Sequence, residues 1–309
     1  MPETLYSIVV PVYKSENSLR RLYQRIDRTF ENIDGDYELI LVDDCSRNGV
    51  WQLMKSLREQ DSRVKIIRLA RNFGQHNALM CGFSFVSGDY VITMDDDLQN
   101  PPEEIPRLID AIKGSELDVV YGIPRIKKHS HFKNAGSRVF MYLMSVIFRR
   151  GHRVRISSFR IVRRSFIDHI ISINTPNPVV GLLLLRVTDS VGTIPIDHHE
   201  RIDGRTTYSL AKLVGQFLDG ILYNSTLPLR VVFALGITCL GLCAALGTYY
   251  LLAYMLGVIT VSGWTTLVLL ILFFSGIIMF SVGIIGEYLL RILQEVSRTP
   301  QYVIRDKEV

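Results

Sequence analysis

Residues 88–103 read GDYVITMDDDLQNPPE. Tyr90 to Met94 is a short β-branched run of the kind that forms a buried strand, and it ends in three consecutive carboxylates, Asp95, Asp96 and Asp97. Like charges so close repel one another unless a cation compensates. Asp95 and Asp97 are two residues apart, so both can face one ion, and Gln99 can add a neutral oxygen. All-oxygen ligation suits Mg²⁺ or Mn²⁺, and Mg²⁺ typically shares its shell with substrate phosphates. The other reading is an acidic loop capping a helix near Pro101–Ile112, where carboxylates suit the N-terminal dipole.

Upstream, the same grammar repeats. Tyr6 to Val12 (YSIVVPV), Tyr37 to Val42 (YELILV) and Val64 to Leu69 read as strands. Between them, Leu19, Leu22, Ile26 and Phe30 recur at helical spacing, Trp51, Leu53, Met54 and Leu57 mark a second helix, and Asn77 to Val86 a third. Strand alternating with helix predicts a parallel, doubly wound α/β sheet. Ligands of such sheets sit beyond the carboxyl ends of the strands. The pair Asp43–Asp44 ends the second strand, so both acidic clusters fall there, unless that pair only makes a turn through its own backbone.

Downstream, the character changes. Residues 119–167 hold twelve Lys or Arg and no Asp or Glu. With a whole-chain charge of +5, the rest sums to −7 (+5 minus 12). A solvated basic face is one reading. A basic block interleaved with apolar runs such as Val139 to Phe148 also fits a membrane surface. The neighbouring apolar sequence favours anionic lipid over nucleic acid.

That sequence is residues 231–286, 56 positions without a charged side chain. A bilayer crossing takes roughly 20 apolar residues, so two spans with a turn near Gly257–Gly263 are predicted, which excludes a wholly soluble protein. Basic residues on both flanks put both ends in the cytoplasm. The stripe Leu210, Leu213, Val214, Phe217, Leu218, Ile221 and Leu222 before the spans is either ordinary packing or a helix lying in the interface. The N-terminus shows no signal-peptide pattern, and four scattered cysteines imply neither a disulfide framework nor a metal site.

YSIVVPVY, LILVDDCS, RNFGQHNALMCGF, GDYVITMDDDLQNPPEEIPRLI, IIGEYLLRIL and the tail RTPQYVI together resemble the family 2 glycosyltransferases that charge a polyprenyl phosphate. The resemblance implies a GT-A-like (Rossmann-like), mostly parallel α/β domain over 1–208, whose basic segment 119–167 faces acceptor and membrane. An amphipathic juxtamembrane helix would follow at 209–230, a two-helix transmembrane hairpin at 231–286 and a cytoplasmic tail at 287–309. It implies that Pro11, Tyr13, Asp43, Asp44 and Asp96 line the nucleotide site, with Asp44 accepting a hydrogen bond from the base. Asp95, Asp97 and Gln99 would hold Mg²⁺ or Mn²⁺ on the donor diphosphate, and Asp97 and Arg160 would act in catalysis.

Three departures from the family pattern stand out. Tyr13–Lys14–Ser15–Glu16 replaces a Y-N-E sequence. Ile156–Ser157–Ser158–Phe159–Arg160 carries no Asp ahead of its F-R-L-like strand. Gly204–Arg205–Thr206–Thr207–Tyr208 has Thr207 where relatives have Lys. A phosphate monoester is mostly dianionic at neutral pH and needs cations more than a base. Arg163, Arg164, Arg201 and Arg205 are therefore the candidates for holding the acceptor phosphate. The expected reaction moves one sugar from a nucleotide-sugar, a UDP-sugar for preference, onto undecaprenyl or another polyprenyl phosphate at the inner membrane, with inversion. The rival readings are a polysaccharide acceptor and a silent nucleotide-binding membrane scaffold; a homo-oligomer stays open.

Overall fold

A computed structural model describes residues 4–125, 155–173, 175, 178–197, 263–296 and 300–309, with single residues between 236 and 256. The chain divides into two units. One comprises Met1–His131, Arg153–Thr206 and Thr299–Val309, and the other Phe132–His152 and Thr207–Arg298.

The first unit is built on strands β1 (Leu5–Val12), β2 (Asp36–Asp43), β3 (Val64–Leu69), β4 (Tyr90–Thr93), β5 (Val119–Pro124), β6 (Arg160–Arg163), β7 (Val191–Ile196) and β8 (Ile304–Glu308). They form one sheet in the order β7-β5-β6-β4-β1-β2-β3-β8. β1 to β4 run parallel, with Val9 opposite both Ile40 and Thr93. β6 runs antiparallel to β4 and β5, and β8 antiparallel to β3. The mostly parallel α/β sheet expected from the sequence is thus present, with two reversed strands that the alternation does not announce.

Helices α1 (Glu16–Phe30), α2 (Val50–Gln60), α3 (Gln75–Phe83), α4 (Ile105–Lys113), α5 (Arg164–Ile171) and α6 (Val180–Val187) cover the sheet. Side chains along a strand alternate between faces, so β1 feeds two cores. Tyr6, Ile8, Val10 and Val12 pack with Leu19, Leu22, Met54, Leu57, Leu108 and Ile112. Val9 packs on the other face with Ala78, Phe83, Ile167 and Leu183. Covered on both faces, the central strands carry unbroken apolar runs. Each fully buried aliphatic side chain contributes roughly 1.5–3 kcal/mol.

β1 and β4 are neighbours although the chain builds β2 and β3 on the other side of β1 first. The connections therefore leave in opposite directions at this point, which opens a crevice at the strand ends. Three non-glycine residues with left-handed backbones follow the strands around it: Lys14 (φ 61°), Cys45 (φ 58°) and Leu98 (φ 60°). Such conformations cost of order 1 kcal/mol or more and cluster where a site over-determines the backbone. Leu98 offsets its cost by burying its side chain in the core, which anchors the acidic loop.

The second unit is described chiefly through α7 (Trp264–Val296), 33 residues long. Phe273, Ile278, Met279, Phe280 and Val282 are all more than half exposed on it. Among the described residues no helix is long and apolar enough to cross a membrane. The predicted interface helix 209–230 and most of the first span lie outside the described residues.

Candidate functional site

The strand ends of the crevice are tied to one another by the carboxylates singled out from the sequence. Asp44, almost wholly buried, accepts hydrogen bonds from the backbone N–H groups of Phe73 (2.7 Å) and Gly74 (2.9 Å). Both its oxygens are thereby engaged with the loop that starts α3, and burial raises its pKa. Gly74 sits at φ +91° with open space around it, so glycine is required there by backbone conformation, not by crowding. The oxygen left without a hydrogen bond belongs instead to the neighbouring residue. Asp43 accepts from the Ser46 N–H at 2.7 Å, while its Oδ2 lies 3.4 Å from Arg68 Nε. That ion pair is misaligned as a hydrogen bond and leaves both buried atoms without one. A buried orphan of this kind is uncommon.

Asp96 turns toward β1. It accepts from the Tyr13 N–H at 3.0 Å and from the Ser15 hydroxyl, so it braces the loop after the first strand. Burial pushes its pKa up to about 6, against the pull of these two donors. Tyr13 itself is 44% exposed, with Lys14 Nζ 4.9 Å from its ring centroid. Pro11 is buried within β1, opposite Val42, and contributes backbone shape.

Asp95 and Asp97 turn elsewhere. Asp95 receives the Gln75 side-chain amide on Oδ1 and the Ser158 hydroxyl on Oδ2, each at 2.5 Å. Its pKa is raised, first by burial and also by the charge of Asp97. Asp97 accepts from the Gln99 N–H at 3.1 Å, so in the described geometry Gln99 shapes the turn through its backbone. Behind this pair, Arg160 is 1% exposed. Its Nε donates to Thr93 Oγ1 (2.9 Å) and its guanidinium lies 5.8 Å from the Tyr121 ring centroid. It is within electrostatic reach of Asp95. So placed, Arg160 holds the end of β4 through Thr93.

Two acceptor-site candidates, Arg163 and Arg164, stand away from these carboxylates. Because β6 opposes β4 in direction, Arg160 pairs with Thr93 and Arg163 with Tyr90. Three residues along a strand span about 10 Å, which carries Arg163 and Arg164 to the opposite end of the sheet. Arg163 there donates to the carbonyls of Leu117 (2.9 Å) and Ser115 (3.2 Å) beyond α4 and of Ile112 (3.4 Å) in its last turn. Arg164 pairs with Asp168 at 2.8 Å and caps the Val86 carbonyl. Both guanidinium groups are thus committed to structure. Arg201 and Arg205 lie outside the described residues.

His76, next to Gln75, was not singled out from the sequence. Its Nδ1 is shielded and without a hydrogen bond. Burial, helped by the Arg160 charge, pushes its pKa down to about 4, so the ring is neutral at pH 7. Gln75 and Ser158 were missed as partners of Asp95. Gln75 sits in the RNFGQHN run quoted above, whereas nothing in the sequence connects Ser158 to a residue 63 positions away.

A divalent ion fits the donor set only in part from protein groups. Asp95 and Asp97 offer hard oxygens, and the charge of Asp97 adds to the raised pKa of Asp95, while Asp96 is spent on β1. Among the described residues no three His, Cys, Asp or Glu side chains gather into a metal-holding group. An ion here would complete its shell with ligand oxygens and water, as Mg²⁺ commonly does.

Comparison with known proteins gives these features a context. Residues 7–171 match the model of "Glycosyl transferase family 2". The chain is 34% identical to an undecaprenyl-phosphate 4-deoxy-4-formamido-L-arabinose transferase of Sodalis glossinidius, over 97% of this chain and 92% of that one. It is 32% identical to an uncharacterised glycosyltransferase of Bacillus subtilis, over 97% and 93%. Among solved structures, glucosyl-3-phosphoglycerate synthase from Mycobacterium tuberculosis, in complex with Mn²⁺, UDP and phosphoglyceric acid, superposes with a TM-score of 0.52. That match has 18% identity and covers 72% of this chain and 77% of that one. At such identity the likeness speaks for the fold, which is GT-A-like.

Proposed function

Since the chain belongs to glycosyl transferase family 2, we propose that it moves one sugar from a UDP-sugar to undecaprenyl phosphate or a related polyprenyl phosphate at a membrane surface. The observation that carries this reading is the switch-point crevice, with Asp95 and Asp97 at the end of β4 and Asp43 and Asp44 at the end of β2. The acceptor class comes from relatives that match this chain from end to end and carry undecaprenyl phosphate in their names.

In this reading the base lies near β2, where Asp43 Oδ2 and Arg68 Nε are unsatisfied and a polar ring edge would pair both. Asp44 fixes the 73–74 backbone against which the nucleotide packs, and Tyr13 offers a half-exposed aromatic face. Asp95 and Asp97 would hold Mg²⁺ or Mn²⁺ on the diphosphate. Such an ion, when bound, neutralises charge building on the leaving nucleotide. Neutral donors from Gln75 and Ser158 keep Asp95 oriented. The acceptor phosphate, mainly dianionic at neutral pH, attacks the anomeric carbon as the bond to UDP breaks, and a single displacement inverts that centre. No strong base is needed, which agrees with Ser158 standing where relatives carry Asp. Arg201 and Arg205 remain the acceptor cations in this proposal.

The membrane part of the proposal rests on the charge-free run 231–286 and on the exposed apolar side chains of α7. β8 supports the topology. A single sheet cannot straddle a bilayer, so β1 to β7 and β8 lie on one side of any membrane. Crossings between them are then even in number, as a hairpin requires.

The test is release of UDP from a panel of UDP-sugars by membranes containing the protein, with and without undecaprenyl phosphate. Release that depends on both lipid and metal is expected. Asp97→Ala should abolish transfer while the protein still inserts into membranes. Full activity of that variant would remove the metal from the scheme, and UDP release indifferent to lipid phosphate would remove the acceptor.

A further inference from the structure

Thr93 Oγ1 donates to the Ser158 carbonyl at 2.5 Å and itself receives Arg160 Nε at 2.9 Å. Ser158 then donates its hydroxyl to Asp95 Oδ2, and Gln75 meets Oδ1 from the other side. The carboxylate of Asp95 is therefore clamped between two neutral donors from separate elements, α3 and the segment leading into β6. The Ser158 arm is rigid. Its backbone is held by Thr93, and the residue after it, Phe159, is fully buried in the core. A carboxylate at position 158 would confront Asp95 with like charge at this separation, whereas a hydroxyl supplies a proton and no charge.

We propose that Ser158 is a positioning residue for the metal site: its hydroxyl fixes the rotation of the Asp95 carboxylate, so that the lone pairs left over are presented to a divalent ion together with Asp97. Ser158 touches neither ion nor substrate, and its work is done through Asp95. Ligating carboxylates are commonly held by outer hydrogen bonds, whose loss weakens metal affinity about 10–100-fold. Gln75 alone leaves the carboxylate free to rotate about one anchored oxygen. This inference rests on the assignment of Asp95 and Asp97 to a metal, not on the identity of the sugar or lipid.

The test is Mn²⁺ binding to the purified full-length protein in the presence of UDP, read by calorimetry and by the loss of free Mn²⁺ spin-resonance signal. Ser158→Ala is expected to weaken Mn²⁺ binding about tenfold or more, and Ser158→Thr, which keeps the hydroxyl, to restore most of it. Turnover, where measurable, should show a raised metal requirement, with the rate at saturating metal reduced much less. A thermal melt of Ser158→Ala close to wild type separates loss of positioning from loss of fold. Mn²⁺ affinity unchanged in Ser158→Ala, or equally weak in Ser158→Thr, overturns the proposal. Failure of the wild type to bind Mn²⁺ with UDP overturns the metal site itself, while tight Mn²⁺ binding without sugar transfer leaves Ser158 in place and strikes the proposed reaction.

Discussion

At the scale of single residues, the site is governed by burial more than by pairing. Asp43, Asp44, Asp95 and Asp96 all have raised pKa values, with burial the largest cause in each case. His76 shows the same physics with the opposite sign. Its folded pKa of about 4 lies below the ordinary 6.5, so between these values the unfolded chain takes up a proton that the folded state refuses. Stability is therefore complete above pH 6.5 and falls as the pH drops toward 4, by about 2 kcal/mol at pH 5. His76→Asn should flatten that dependence: the fall in melting temperature between pH 7.5 and pH 5 is expected to be smaller in the variant. An equal fall would show that the imidazole titrates freely in the fold. The sequence singles out Asp95 and Asp97 together because residues two apart on an extended chain share a face. Asp96 was read as part of the nucleotide site, but its donors belong to a loop some eighty residues earlier, which no local pattern displays.

At the scale of elements, β1 to β4 and α1 to α4 were readable because burial on both faces writes itself into the sequence as apolar runs and helical periodicity. β6 was readable only through the family resemblance, as the F-R-L-like strand. Neither its reversed direction nor β8 was readable at all, because they owe their state to a neighbour. β6 (RIVR) has polar ends that serve Thr93 on one side and the carbonyls beyond α4 on the other. β8 (IRDKE) is almost entirely exposed and is a strand only because β3 offers an edge. Its charged residues suit an edge position that resists pairing with other molecules. The tail is stitched on further by Ala70 N–H to the Val303 carbonyl (2.8 Å), Tyr302 to Ser84 (3.0 Å) and Gln301 to the Ile173 carbonyl (3.0 Å). Removing 301–309 should cost about 2 kcal/mol through these bonds, a fall in melting temperature of roughly 4–8 °C. It should also weaken UDP binding, since Ala70 leads directly into the loop that Asp44 holds. Differential scanning fluorimetry and UDP titration of the truncated protein read both effects, and an unchanged melt would make the tail an ornament.

At the scale of the whole molecule, the chain joins a sheet domain to an apolar segment whose described side chains face outward in bulk. Contiguous apolar surface of that extent marks contact with a membrane or partner. The protein should sediment with membranes, resist extraction by alkaline carbonate and come into solution only with detergent. Recovery in the carbonate supernatant would reject the spanning hairpin. A reporter fused after Val309 should lie on the same side of the membrane as one fused ahead of β1, because the tail shares its sheet with β1. The charge-free run is where the sequence sets the apolar segment apart from the sheet domain. The position of the tail was not legible, since a strand closing a sheet from some 235 residues away leaves no local trace.

That late closure bears on how the molecule comes into being. β3 leaves the ribosome long before its outer neighbour β8, and everything synthesised in between includes the apolar segment. During that interval the β1–β3 half of the sheet waits with one side bare. Nascent chains held up at the membrane would expose the Val64–Leu69 backbone to whatever else is being made nearby, so biogenesis of this enzyme should depend on prompt insertion more than the stability of the finished fold suggests.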